Sequence, residues 1–416
     1  MVLEDICQSI QPPSSAARAW RGWTRRRSRR FSTRHDKIID VLNLPVLANT
    51  PTLPIWPILI TFGLALGIAM LLTRLAISLG IKWGIADVPG GRRKHLRITS
   101  RLGVLPLFGA FAVAALLSQH LGVDTNDRVN EPIRFAGVLI GGVIIAVMGF
   151  LDDRFDIPST PQFIVQGLCA LIAIGSLVFI ERFTFPFTGQ QIALTEVFQP
   201  MFGASLGWVL GCILLVLLTE FWFIGMINTV NFLDGVDGLA GSISFVAAGV
   251  TAIHMLREGQ YSVALLPLAL MGTLAGFLIF NLPPAKIFIG GGALWLGFAL
   301  ACIGIIGGAK IALLLLVMGL PIADVVWQMF DRWRHGRSLA QADRGHLHLR
   351  LIDQGWSAKR IVLLYALVSS AFGAAALVPQ PPLLKLLTFL ALAAAVVLVL
   401  ARLSRRKPDL NREGVK

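Results

Sequence analysis

Apolar runs of about twenty residues alternate with short polar segments along most of the chain. A run of that length lets a helix cross the ~30 Å hydrocarbon core of a bilayer. Eleven such runs occur, at roughly 54–73, 103–120, 133–151, 163–180, 206–227, 239–256, 262–280, 293–307, 310–329, 361–379 and 383–402. Gly307 and Gly308 separate the eighth from the ninth and predict a tight turn. The pattern predicts an all-α polytopic membrane protein with about eleven transmembrane helices. Residues 1–50 read as an Arg-rich disordered extension, 51–403 as the multi-span domain and 404–416 as a basic tail.

Composition agrees with this reading. The chain is 55% hydrophobic and only 14% charged, with a mean hydropathy of +0.73. Soluble domains carry about 25% charged residues. The four cysteines are too scattered to read as metal ligands. A formal charge of +14 would suggest nucleic acid in a soluble protein. Here it reads as loop charge that sets orientation, with no nucleic-acid partner.

The loops alternate in charge. One set holds Lys82, Arg92, Arg93, Lys94, Arg97 and Arg101, then Arg332, Arg334, Arg337, Arg344 and Arg350, then Arg405, Arg406 and Lys407. The other set is poor in base, as in 121–132 with Asp124, Asp127 and Glu131. The positive-inside rule places the basic set in the cytoplasm. The arginines of the amino-terminal extension, from Arg18 to Arg34, oppose that orientation. Every chemically rich stretch falls on the basic side: 86–101, 152–162, 228–238, 281–292 and 331–354. Their coincidence predicts one composite cytoplasmic site built from five loops. A transporter more often carries its polar groups at mid-membrane.

The segment NTVNFLDGVDGLAG sets Asn228, Asn231, Asp234 and Asp237 three residues apart, directly after an apolar run. That spacing puts all four near one face of a shared helical turn. Acids and amides on one face suit a hydrated divalent cation and a polar ligand. A second acidic group, GFLDDRFDIP, holds Asp152, Asp153 and Asp156. Adjacent carboxylates repel unless a cation or a proton is shared between them. Mg²⁺ usually binds through one or two carboxylates, water and phosphate oxygens. One such Asp alone would read as a helix cap. DRGHLHLRL offers His346 and His348 with Arg344 and Arg350, donors suited to pyrophosphate oxygens. Arg93, Lys94 and His95 follow a Pro-Gly turn and suit phosphate or anionic headgroups. NLPPAKIFIGGG joins Asn281 and Phe288 to three glycines, which permit close backbone approach to a ligand.

In order along residues 54–402, these loops resemble the polyprenyl-phosphate N-acetylhexosamine-1-phosphate transferase family, a group within glycosyltransferase family 4. The resemblance implies transfer of a sugar-1-phosphate, here GlcNAc-1-phosphate, from a UDP-N-acetylhexosamine to polyprenyl (undecaprenyl) phosphate. UMP is released, Mg²⁺ or Mn²⁺ is the cofactor, and the product starts a lipid-linked cell-envelope glycan such as lipopolysaccharide. It also implies a bacterial inner-membrane location and a homodimer. Asp152 matches the base or the group orienting the lipid phosphate, with Asp153 beside it near the metal. Asn228, Asn231, Asp234 and Asp237 match the metal and nucleotide wall, with Asn231, Asp234 and Asp153 as metal ligands. Phe288 matches a uracil-stacking position, and His346 and His348 match the diphosphate-handling motif. Lys94, His95, Asn281 and Arg344 complete the substrate contacts. The Arg-Gly-His-Leu-His form resembles the branch using simple UDP-N-acetylhexosamines more than the muramoyl-pentapeptide branch.

Three positions depart from the family pattern. The acidic metal ligand expected after Gly290 is missing from FIGGGALWLGF, which is one residue short. Gln162 replaces a lysine downstream of the paired Asp, and Leu349 replaces the third member of the histidine motif. The alternative these losses raise is a catalytically impaired homologue that binds nucleotide or lipid without turnover.

Overall fold

The computed structural model describes residues 53, 55–88, 98–125, 127–308, 311–336, 345–378 and 381–405. The chain divides between residues 53 and 54, and the fold below is that of the second unit. The amino-terminal extension, Lys94, His95, Arg344 and most of the basic tail lie outside the described residues.

Apolar sequence becomes helix almost throughout. The helices are α1 (Ile55–Lys82), α2 (Val104–Ser118), α3 (Asn130–Phe155) and α4 (Ser159–Gly175). After a single helical turn at Gln199–Phe202 come α5 (Ala204–Leu233), α6 (Leu239–Arg257), α7 (Tyr261–Asn281) and α8 (Gly292–Ile305). Last are α9 (Ile311–Val317), α10 (Gly319–Arg334), α11 (Leu347–Asp353), α12 (Ala358–Leu377) and α13 (Pro382–Arg405). Among the described residues, two short antiparallel hairpins interrupt them. One pairs β1 (Ala86–Asp87) with β2 (Thr99–Ser100), and the other pairs β3 (Arg182–Thr184) with β4 (Gln191–Ala193).

Among the described residues, seven helices are long and apolar enough to cross a membrane, and an eighth span exists if α9 and α10 count as one. The chain is therefore a multi-pass, all-α membrane protein. The expected count of eleven rests on three further apolar helices, α2, α4 and α8, of 15, 17 and 14 residues. At 1.5 Å per residue these reach only about 21–26 Å. The expected span at 310–329 is broken, since α9 and α10 meet at an angle of 79°. Gly319 and Pro321 sit in the first turn of α10, where a missing proline N–H favours a new helix start. The turn expected at Gly307 and Gly308 is present, with φ of 79° and 101°.

α8 organises the bundle. All of its residues are buried, as expected of a helix that is apolar on every side. It packs against α3 and α5, with α2, α6 and α9 completing its surroundings. Gly297 makes one of these contacts possible, because a Cβ there would collide with the α5 backbone at Ile227. α1 and α7 cross closely through small residues. Gly272 and Gly276 of α7 face Ala65 and Ala69 of α1, and a Cβ on either glycine would strike the α1 backbone. In lipid, helices associate by this kind of small-residue contact.

Gly276→Leu should therefore separate α1 from α7. Overpacking of this kind costs about 1–3 kcal/mol or more. A melting curve of the purified protein in detergent should shift down, while Gly67→Leu, at a glycine with nothing within 4 Å, should shift it little.

Candidate active site at one end of the bundle

The carboxyl ends of α3, α5 and α7 meet the amino ends of α4, α6 and α8 at one end of the bundle. α3 ends at Asp156, which takes a left-handed φ of 48° and donates its N–H to the Asp152 carbonyl. This stop leaves Asp152 and Asp153 on the last turn. Asp153 points inward and is 5% exposed. Its Oδ2 accepts from the Gly291 N–H at 2.9 Å, and its Oδ1 lies 3.5 Å from Arg101 Nε. Asp152 points elsewhere. Its Oδ1 accepts from the Ile157 N–H at 3.0 Å and from Gln162 Nε2 at 2.9 Å. Gln162, which stands where the family has lysine, thus holds Asp152 as a neutral donor.

α5 ends at Asp234, whose N–H bonds to the Asn231 carbonyl at 3.2 Å. The Asp234 carboxyl sits close to Asp153 and to the Gly290 N–H. Enclosure and the neighbouring Asp153 charge push its pKa well above the carboxylate range, against the pull of the Gly290 amide. The glycine turn therefore lies against acids from two different helices and donates the Gly291 N–H to one of them. Gly290 has a φ of 54°, and a Cβ there would meet the Asp153 carboxylate. A Cβ on Gly291 would collide with the Gly149 backbone. As packed, the turn has no room for an acidic side chain.

The other predicted residues divide between lining this centre and holding its walls. Asp237 accepts from the Ala285 N–H at 3.0 Å and ties the α5–α6 turn to the loop after α7. Asn281 is buried and donates to the Ile287 carbonyl at 2.9 Å. Asn228 donates to Gln166 Oε1 at 2.7 Å, bracing α5 on α4. Phe288 is half-buried, and its N–H bonds to the Ser100 carbonyl at 2.9 Å. That bond joins the 281–291 loop to the residues before Arg101. Arg101 spans Asp153 and Asp156, with Nη1 3.4 Å from the latter.

His346 and His348 are both buried. Phe232, His346 and His348 form a stack with ring centroids 5.4 and 5.6 Å apart. A Cβ on Gly235 would lie 2.7 Å from His348 Nε2. The histidine loop thus seats directly on the NFLDG turn. Burial pushes His348 down to about 4, with the Asp324 charge opposing and His346 assisting. His348 is neutral near pH 7 and does not supply the imidazolium donor expected of it from sequence.

Sequence reasoning missed Asp324, Gln328, Gln166 and the role of Arg101. Asp324 bonds the Leu347 N–H at 3.0 Å and His346 Nδ1 at 3.2 Å. Gln328 Nε2 donates to the Gly345 carbonyl. The available signal was Asp324, Gln328 and Arg332 at four-residue steps, the first two in an otherwise apolar stretch from Gly319 to Phe330. The structure brings together acids, glycine amides, an arginine and two histidines from all five predicted loops. Such a set suits a reaction between phosphate groups.

Comparison with known proteins agrees. The profile described as glycosyl transferase family 4 matches residues 135–308. A decaprenyl-phosphate N-acetylglucosaminephosphotransferase of Mycolicibacterium smegmatis is 31% identical over 364 residues, covering 80% of this chain and 86% of that protein. A phospho-N-acetylmuramoyl-pentapeptide-transferase of Geobacillus thermodenitrificans is 33% identical over 305 residues, covering 70% and 87%. A Bacillus subtilis protein named "Probable undecaprenyl-phosphate N-acetylglucosaminyl 1-phosphate transferase" is 29% identical over 328 residues, covering 77% and 84%. With this coverage added to the shared loops, the chain belongs to glycosyl transferase family 4, in the group of polyprenyl-phosphate sugar-1-phosphate transferases.

Proposed function

We propose that the protein transfers N-acetylhexosamine-1-phosphate, most simply GlcNAc-1-phosphate, from a UDP-sugar to polyprenyl phosphate. UMP leaves, and the lipid-linked product begins a cell-envelope glycan. The reading places the site on the cytoplasmic face of a bacterial inner membrane, following loop charge. The observation that carries it is the junction of Asp153, Asp234, the Gly290–Gly291 turn and the histidine loop at one end of the bundle.

The residues present fit a divalent cation in one limited way. Among the described residues, no three His, Cys, Asp or Glu groups converge as a metal cage. Asp153 and Asp234 supply two carboxylates, and Asp153 Oδ1 is buried without a hydrogen-bond donor. Mg²⁺ commonly takes one or two carboxylates and leaves its other positions to water and phosphate. Asp153 and Asp234 would hold it, with Asn231 half-buried on the same turn. When bound, the cation offsets the charge of the donor diphosphate.

The remaining chemistry belongs to the side chains. An oxygen of the lipid phosphate attacks the β-phosphorus, the bond to the UMP oxygen breaks, and its electron pair leaves with UMP. A phosphate monoester has a second pKa near ~6, so a strong base is not required. Both donors to Asp152 fall on Oδ1, which leaves Oδ2 to orient the acceptor. Arg101 holds positive charge beside the acids, where two anionic substrates must approach each other. Positioning supplies much of the rate in such transfers.

One observation favours a second reading. Because the glycine turn is packed against Gly149 and Asp153, the missing family acid has no equivalent side chain. A homologue that binds nucleotide without turnover would carry this feature.

Protein in nanodiscs, given UDP-GlcNAc, undecaprenyl phosphate and Mg²⁺, should release UMP. Asp153→Asn and Asp234→Asn should each lower the rate at least ~100-fold. UDP binding without UMP release from any UDP-N-acetylhexosamine would favour the second reading. The seating of the histidine loop gives a further expectation. Gly235→Ala should lower the melting temperature through its collision with His348, and His348→Ala in the same background should recover it. Additive losses would contradict the contact.

A further inference from the structure

α10 carries its polarity inward. Asp324, Gln328 and Arg332 follow one another at four-residue steps and are 2–3% exposed. Val326, Met329, Phe330 and Trp333 of the same helix are exposed. The inward stripe meets the histidine loop. Gln328 Nε2 donates to the Gly345 carbonyl, and Asp324 bonds two atoms that follow it, with a third nearby. Leu347 N–H reaches Asp324 Oδ1 at 3.0 Å and Oδ2 at 3.1 Å. His346 Nδ1 lies 3.2 Å from Oδ2, and His348 Nδ1 lies 3.9 Å from the same oxygen.

We propose that Asp324 is a positioning residue that fixes His346 with its hydrogen on Nδ1 and pins the histidine loop to α10. This rests on the reading above, in which that loop handles the donor diphosphate. An ionised carboxylate only accepts hydrogen bonds, so the ring nitrogen that meets it must donate. His346 Nδ1 is thereby committed, and Nε2 is the ring nitrogen left for substrate. The ring cannot turn freely, because Phe232 stacks on one side at 5.4 Å and His348 on the other at 5.6 Å. Tyr365 closes the far side of His348 edge-on at 6.5 Å. A helix cap alone would need only the Leu347 N–H. The second contact, to a ring nitrogen on the residue before, is what a cap does not require.

Asp324→Asn separates the two roles. The amide keeps one oxygen for the Leu347 N–H but turns an NH₂ group toward His346 Nδ1. That nitrogen must then accept, which moves the ring hydrogen to Nε2. The measurement is ¹⁵N NMR of histidine-labelled protein in detergent, with His346 signals identified by their loss in His346→Gln. Wild-type protein should show the Nδ1–H form, and Asp324→Asn the Nε2–H form with little change in melting temperature. UMP release by Asp324→Asn should fall at least ~100-fold while the KM for the UDP-sugar changes by less than ~3-fold. A wild-type Nε2–H ring, or an unchanged tautomer in Asp324→Asn, overturns the assignment. If the variant does not fold, the wild-type tautomer decides alone. Tautomers as stated in a protein that never releases UMP would support Asp324's role and count against the proposed function.

Discussion

Two acids from different helices lie side by side against one glycine turn, and the rest of the site is arranged around that fact. Asp153 accepts from the Gly291 N–H, and Asp234 lies beside Asp153 near the Gly290 N–H. Like charges in an enclosed place repel, and each N–H bond to a charged group returns only about 1.5–3 kcal/mol. Arg101 adds a guanidinium 3.5 Å from Asp153. The arrangement still leaves Asp153 Oδ1 buried without a donor. It is a site that a cation with a diphosphate could complete.

The turn is held by packing and not by its own chemistry. It opens α8, whose every residue is buried, and Gly291 lies against Gly149 of α3 with no room for a side chain between them. The run of three glycines and the absence of an acid after Gly290 are thus parts of one geometry. Restoring an acid after Gly290 would push against the Gly149 backbone, so a simple insertion would move the turn as well as add a ligand. On the other side of the centre, the histidine loop rests on Gly235 and is fastened to α10 through Asp324 and Gln328.

Much of this was legible in the sequence because acids, amides and histidines are costly beside apolar spans. The runs gave the helices, and NTVNFLDGVDGLAG, GFLDDRFDIP, NLPPAKIFIGGG and DRGHLHLRL mark segments that do meet. What periodicity could not show was distance across the fold. Asp237 reads as a site acid, yet it holds the Ala285 amide. His348 reads as a cationic donor, yet burial keeps it neutral near pH 7. Asp324 meets His346 across 22 residues of sequence, a pairing that helical periodicity does not predict. The end of α4 escaped for a related reason, since the apolar residues Leu177, Val178, Phe179 and Ile180 extend the run past Gly175.

The central claim is that Asp153 and Asp234 form one shared cation site for a nucleoside diphosphate. Electron paramagnetic resonance of Mn²⁺, titrated with the purified protein and UDP, tests it most directly. The free Mn²⁺ signal should fall when wild-type protein and UDP are both present, and should recover when Asp153 and Asp234 are both replaced by Asn. Equal uptake of Mn²⁺ by the doubly substituted protein would contradict the account.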